Sequence, residues 1–219
     1  TALAFSTAFT ATITTGVSPG RHGIFDFVGL HRQERKPFFF SSSLRRFPPI
    51  WNVLGAQGMR SCVVNVPMTY PADKVNGFML CGLATTHSGE HFAYPKAVFD
   101  DMVRELGPYA FTVNATGYRK LVESMRRIAA SRLRVAQYLL NREKWDFFMN
   151  VTMTADQAQH FFWSFHDPSH PLHGTSRAGD YAAVISDAYV HADTLLGEVL
   201  KHVTPDDYLI VVSDHGFTG

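Results

Sequence analysis

What this chain lacks narrows its possibilities before any motif is read. No apolar run reaches the roughly 18 residues that a membrane-spanning helix needs, so nothing in the sequence reads as a membrane segment. Neither sign of charge is in excess: 20 Lys and Arg stand against 19 Asp and Glu, a formal net charge of +1. Such a balance gives no basic surface for nucleic acid and no field for an anionic membrane. Cysteine is scarce, and Cys62 and Cys81 both sit in apolar, strand-like runs. That placement favours buried free thiols over a disulfide framework. The compartment stays open, with the cytoplasm favoured. Internal repeats and low-complexity tracts are missing too. What remains is 219 residues, 46% apolar and 18% charged, enough for one globular domain with a full core.

Apolar runs alternate with helical patterns along the chain. "PIWNVLGAQG" reads as a helix closed by Gly58, and "SCVVNVP" as a buried strand stopped by Pro67. "GFMLCG" follows as a short strand. A long helix is expected from Tyr118 to about Arg142, with Leu121, Met125, Ile128, Val135 and Leu139 on one face. Then come the strand "DFFMNVTM", a helix carrying Asp156, a helix from about Asp180 to His202 and the strand "DYLIVVSD". Strands that are apolar throughout, without alternation, suit parallel strands buried on both faces. The expected fold class is therefore α/β, a mostly parallel central sheet flanked by helices. Residues 31–49 and 166–179 are rich in turn formers and read as loops or a lid.

Two Asp/His pairs carry the chemical interest. In "TADQAQHFFW", Asp156 and His160 lie four residues apart on a helix that follows a strand. Positions i and i+4 share a face, so both heads can converge on one point. That point is a metal ion, or else the segment is an ordinary helix start with Thr154 as cap and His160 at the surface. In "YLIVVSDHG", Asp214 and His215 stand at the end of a buried strand: a metal pair, an acid–base pair or a turn. Parallel strands deliver their carboxyl ends to one edge, where ligands bind in open α/β sheets. Two carboxylates and two imidazoles are donors that zinc and similar ions accept. Ser6 and Thr7 are expected at the start of a helix, where free N–H groups can hold phosphate. A hydroxyl there is a helix cap or a nucleophile. Gly16, Pro19 and Gly23 shape a tight turn after this helix, and His22 reads as a structural hydrogen-bonding residue.

Taken together these residues resemble the type I phosphodiesterase/nucleotide pyrophosphatase branch of the alkaline phosphatase superfamily. The likeness runs over nearly the whole chain, through "TTGVSPGRHGIFDF", "IWNVLGAQGMRSCVVNVPMTYPAD", "DQAQHFFW" and "VVSDHGF" in that order. It implies an alkaline phosphatase-like fold and two divalent ions, zinc with manganese or magnesium as alternatives. Asp156 and His160 would hold one; Asp214 and His215 would hold the other, together with the nucleophile oxygen. The family's nucleophile lies nine residues before the Thr of "TG", and counting back from Thr15 gives Ser6. Thr7 is its neighbour, and Thr1 would serve if the helix carried an insertion. The resemblance also implies an Asp ahead of Thr1 and a His after Gly219, so the chain reads as a single domain over 1–219, truncated at both ends. Phe27 stands where the nucleotide pyrophosphatases carry an Asn that holds the phosphoryl oxygen.

The implied activity is hydrolysis of a small-molecule phosphate ester, a diester before a monoester, through a phosphoserine intermediate. Phosphomutase or phosphotransferase chemistry at the same site is one alternative. A sulfatase-like member is another, although "STAFT" lacks the Cys/Ser-x-Pro-x-Arg pattern of sulfatases. A non-catalytic metal-binding domain is the third. The sequence leaves the oligomeric state open.

Overall fold

The structure, a computed structural model, describes residues 2–31, 33–82, 91–111, 113, 115–171 and 173–217; for 2–5 and 176–178 only the backbone is described. Thr1, one of the alternative nucleophiles, and the terminal Gly219 lie outside the described residues, as do positions 32 and 172 of the two turn-rich segments. The chain divides into two compact units. The first comprises 1–111, 142–151 and 212–215; the second comprises 112–141, 152–211 and 216–219.

The first unit opens with α1 (Ala2–Thr15) and the single turn α2 (Pro19–His22). Pro19 stands at the first position of α2, where its missing N–H costs nothing. A two-stranded antiparallel hairpin follows, β1 (Val28–Leu30) with β2 (Pro37–Phe39), pairing Val28 with Phe39 and Leu30 with Pro37. The 31–49 segment therefore contains a strand and a short 3-10 turn, Ser42–Leu44, rather than loop alone. Helix α3 (Ile50–Ala56) leads into β3 (Ser61–Val66), and β4 (Gly77–Cys81), β5 (Ala93–Tyr94) and α4 (Lys96–Leu106) follow. Later in the chain β6 (Phe147–Asn150) completes a four-stranded sheet in the order β5-β4-β3-β6. Strand β3 is parallel to both β4 and β6, and only the short β5 is antiparallel.

That topology explains why "SCVVNV" shows no alternation. The strand has a parallel partner on each edge and is buried along its whole length. Trp51 of α3 covers one face, packing with Val63, Val66, Val75 and Met79. The Trp51 indole N–H and the Arg45 guanidinium both donate to Asp73 Oδ2, at 2.8 and 2.6 Å. Asp73 thus ties the segment ahead of α3 to the β3–β4 connection. The fold class is α/β, a mixed and mostly parallel sheet with helices.

The second unit is helical. It contains most of α5 (Tyr118–Arg142), with α6 (Thr154–His166), α7 (Ser176–Tyr181) and α8 (Val184–Leu200). Leu121, Val122 and Met125 of α5 meet Ala158, Phe162 and Phe165 of α6 and Val184, Ile185 and Ala188 of α8 in one core. The i, i+3, i+4 spacing on each helix supplies these faces. Tyr118 and Tyr181 add aromatic contacts to Phe165, with ring centroids 5.1 and 5.5 Å away.

One expected element is not formed. The pattern of "DYLIVVSD" predicts a buried parallel strand, but residues 208–213 join no ladder among the described residues, and Tyr208 and Ile210 are 98% and 80% exposed. The apolar pattern specifies what such a run prefers. It does not specify an adjacent strand edge in register, which a buried strand also requires.

Candidate active site

The expected nucleophile sits on α1, but not at its start. The helix already includes Ala2, the first described residue, so Ser6 lies at least a turn inside it, past the four N–H groups that a helix leaves free. The reason is local: Ala2, Leu3 and Ala4 are strong helix formers and carry the helix upstream of the hydroxyl. An anion site made by the helix end is therefore not what places Ser6. A side chain does so instead. Ser6 Oγ lies 3.1 Å from His215 Nε2, a contact across 209 residues of sequence. Ser6 and Thr7 are both buried.

His215 is held by its own neighbours. Asp214 Oδ2 stands 3.6 Å from His215 Nε2, and the His215 N–H donates to Asp214 Oδ1 at 3.2 Å. The Ser213 hydroxyl donates to the His215 carbonyl at 2.6 Å, closing a tight turn at the motif. Ser6, Asp214 and His215, all in the first unit, thus present a hydroxyl, a carboxylate and an imidazole together.

The other pair lies in the second unit. Asp156 falls in the first turn of α6 and His160 one turn later, with Asp156 Oδ1 3.3 Å from His160 Nε2. The shared helix face does what the i, i+4 spacing requires. The His160 ring also meets the Phe217 edge at 5.0 Å, and Trp163 meets Phe217 at 5.1 Å. Of the aromatics following His160, Phe162 and Phe165 are core and Phe161 faces solvent.

The donor types in both pairs suit zinc or a similar ion. Ser6, Asp214 and His215 make a three-donor set in which the hydroxyl touches the imidazole. Asp156 and His160 supply two donors, one fewer than a catalytic zinc normally has from protein. Among the described residues, no group of three or more His, Cys, Asp or Glu side chains gathers around one point.

The turn after α1 is built around His22, which is fully buried. Its Nδ1 accepts the Ile24 N–H at 3.1 Å, so in the neutral ring Nε2 carries the proton. Nε2 then donates to Thr12 Oγ1 at 3.0 Å, and that hydroxyl donates to the Ala8 carbonyl at 2.7 Å. Every polar atom in this relay is satisfied, which makes His22 structural. Desolvation pushes its pKa below the ordinary histidine value.

A residue that the motifs did not single out stands at the carboxyl end of β3. Asn65 adopts a left-handed backbone, φ 59°, at an irregularity in the β3–β4 register between Val64 and Val66. It is 4% exposed. Tyr109 donates its hydroxyl to Asn65 Oδ1, while Asn65 Nδ2 has no hydrogen-bond partner among the described residues. A buried donor without a partner costs about 1–3 kcal/mol. The sequence signal is slight: one amide in a strand that is apolar after Ser61, two residues before Pro67.

A family model described as type I phosphodiesterase / nucleotide pyrophosphatase matches residues 4–219. Among curated proteins none matches the chain. Two solved structures of phosphonoacetate hydrolase from Sinorhizobium meliloti 1021, in complex with phosphonoformate and with phosphonoacetate, are similar to it at 15% identity, with TM-scores of 0.46 and 0.47. Each likeness covers 88% of this chain and 43% of theirs, so the chain spans less than half the length of those structures.

Proposed function

Because the chain belongs to the type I phosphodiesterase/nucleotide pyrophosphatase family, we propose that it hydrolyses phosphate esters, diesters before monoesters, with Ser6 as nucleophile. The observation that carries this is the 3.1 Å contact between Ser6 Oγ and His215 Nε2. It joins the residue found by counting back from the "TG" turn to the imidazole of the "SDHG" motif.

Asp214, His215 and Ser6 would hold one divalent ion, and Asp156 with His160 would contribute to a second. Such ions supply Lewis-acid stabilisation of phosphoryl charge and lower the pKa of a bound hydroxyl. The chain's own atoms do the rest. Without an ion His215 Nε2 hydrogen-bonds Ser6 Oγ; with one bound, that nitrogen would serve the ion instead, and the Ser6 oxygen would keep a lone pair to attack phosphorus. In the first half-reaction the Ser6 Oγ–P bond forms and the bond from phosphorus to the leaving alcohol breaks, the alcohol leaving with a proton. In the second, water cleaves the phosphoserine and restores the hydroxyl.

The same contact favours a second reading, in which His215 Nε2 takes the Ser6 proton as a general base with Asp214 beside it. The two separate on chelation. With bound ions, EDTA abolishes turnover of a chromogenic phosphodiester and zinc restores it; with a Ser–His dyad alone, turnover survives EDTA. Under either, Ser6→Ala lowers kcat by at least about a thousandfold, while Thr7→Ala stays within about tenfold. A Ser6→Ala protein with wild-type kcat sinks the assignment.

A further inference from the structure

We propose that Asn65 is a substrate-binding residue whose side-chain amide donates to a phosphoryl oxygen of the bound ester; this rests on the reading of Ser6 and the phosphate-ester chemistry just given. Two features set Asn65 apart, and the second has no explanation among the described residues. Its backbone is left-handed, a conformation that persists in a non-glycine residue only where the surroundings hold it there. Its amide is buried, with the oxygen engaged by Tyr109 and the nitrogen engaged by none of the described residues. Asn tolerates this backbone better than most residues, but tolerance does not account for an idle donor. A buried donor left idle by the protein is suited to a partner that arrives from outside the chain.

The location supports the same conclusion. Asn65 stands at the carboxyl end of the central parallel strand, the edge where open α/β sheets bind ligands. Asn150, across from Val64 at the carboxyl end of β6, also has an amide atom, Oδ1, without a partner among the described residues. Helix α1 packs over the segment just beyond β3, where Ala11 and Ile24 cluster with Met68. Ser6 lies five residues from Ala11 on that helix, about 7.5 Å along its axis. The backbone around Asn65 is closely fitted: a Cβ on Gly82 would come within 2.2 Å of the Asn65 carbonyl oxygen. The Gly82 N–H donates to the Val66 carbonyl at 3.1 Å. The strand end is thus locked while one amide hydrogen-bonding group is left open.

The test uses two substitutions that the left-handed backbone accepts. Asn65→Gly keeps φ and removes the amide; Asn65→Asp keeps the shape and the acceptor for Tyr109 but replaces the donor with a negative oxygen. Affinity for inorganic phosphate is measured by calorimetry, in the wild-type background and again with Ser6→Ala, so that a failed nucleophile assignment cannot imitate a failed binding site. The expected result is phosphate binding about tenfold weaker in Asn65→Gly and weaker still in Asn65→Asp, in both backgrounds. KM for the diester rises in parallel, and both variants, although lowered in melting temperature by the disturbed Tyr109 contact or the buried charge, remain folded at the assay temperature. Unchanged phosphate affinity in both variants overturns the proposal, even if turnover falls. So does a lowered melting temperature with unchanged KM, which would make Asn65 the partner of a structural water.

Discussion

At the scale of single residues, His22 shows how a polar side chain can be legible without being catalytic. Its place in "SPGRHG" marked a turn, and the relay from Ile24 through His22 and Thr12 to Ala8 shows what the ring does there. The relay needs the neutral ring, since protonated Nδ1 cannot accept the Ile24 N–H. Burial lowers the folded-state pKa, so below the ordinary value of about 6.5 the unfolded chain binds the extra proton more readily. The contribution of His22 to stability is therefore complete above about pH 6.5 and drains away as pH falls toward the folded-state value, by at most about 1.4 kcal/mol per pH unit. Urea unfolding at a series of pH values should show this loss, and His22→Gln should be less stable at neutral pH and lack that part of the pH slope. Asn65 is the opposite case. Nothing in its sequence context separates an amide that caps a strand from one left without a partner, because that depends on where Tyr109 lies.

At the scale of elements, the sequence was most informative where one strand or helix determines its own pattern. The extended apolar run of β3 and the faces of α5 and α6 are local properties, and they appear where periodicity places them. Two features depended on something beyond the segment. The hydroxyl of Ser6 suggests a helix cap, whereas the Ala–Leu–Ala stretch ahead of it is itself helical. The run at 208–213 has the composition of a central strand but no partner among the described residues. The β3–β4 pairing has a weak point of its own at Gly77. Its φ of 139° and the 2.1 Å that would separate a Cβ from the Ser61 carbonyl leave no room for a side chain. Gly77→Ala should destabilise the protein by about 2–4 kcal/mol through strain and displaced pairing, measured by denaturant unfolding. A change under about 0.5 kcal/mol would mean that the strand shifts freely, as the close approach forbids.

At the scale of the whole molecule, the near-zero net charge and the exposed run at 208–212 act together. Neither opposes self-association, since little charge repulsion keeps apolar surfaces apart. Both units nonetheless have cores of their own, and that of the first includes the sheet. Cys62 and Cys81 lie within it on neighbouring strands, both buried and both free. Burial drives both thiol pKa values upward, that of Cys81 to about 12, so the reactive thiolate is scarce even apart from access. These two sulfurs therefore behave as an internal clock. A thiol reagent added to the native protein can be consumed only as fast as the β3–β4 ladder opens, so labelling should be slow at pH 8 and immediate in denaturant. Phosphate, if it binds at the carboxyl edge of the same sheet, should slow that clock without touching either cysteine.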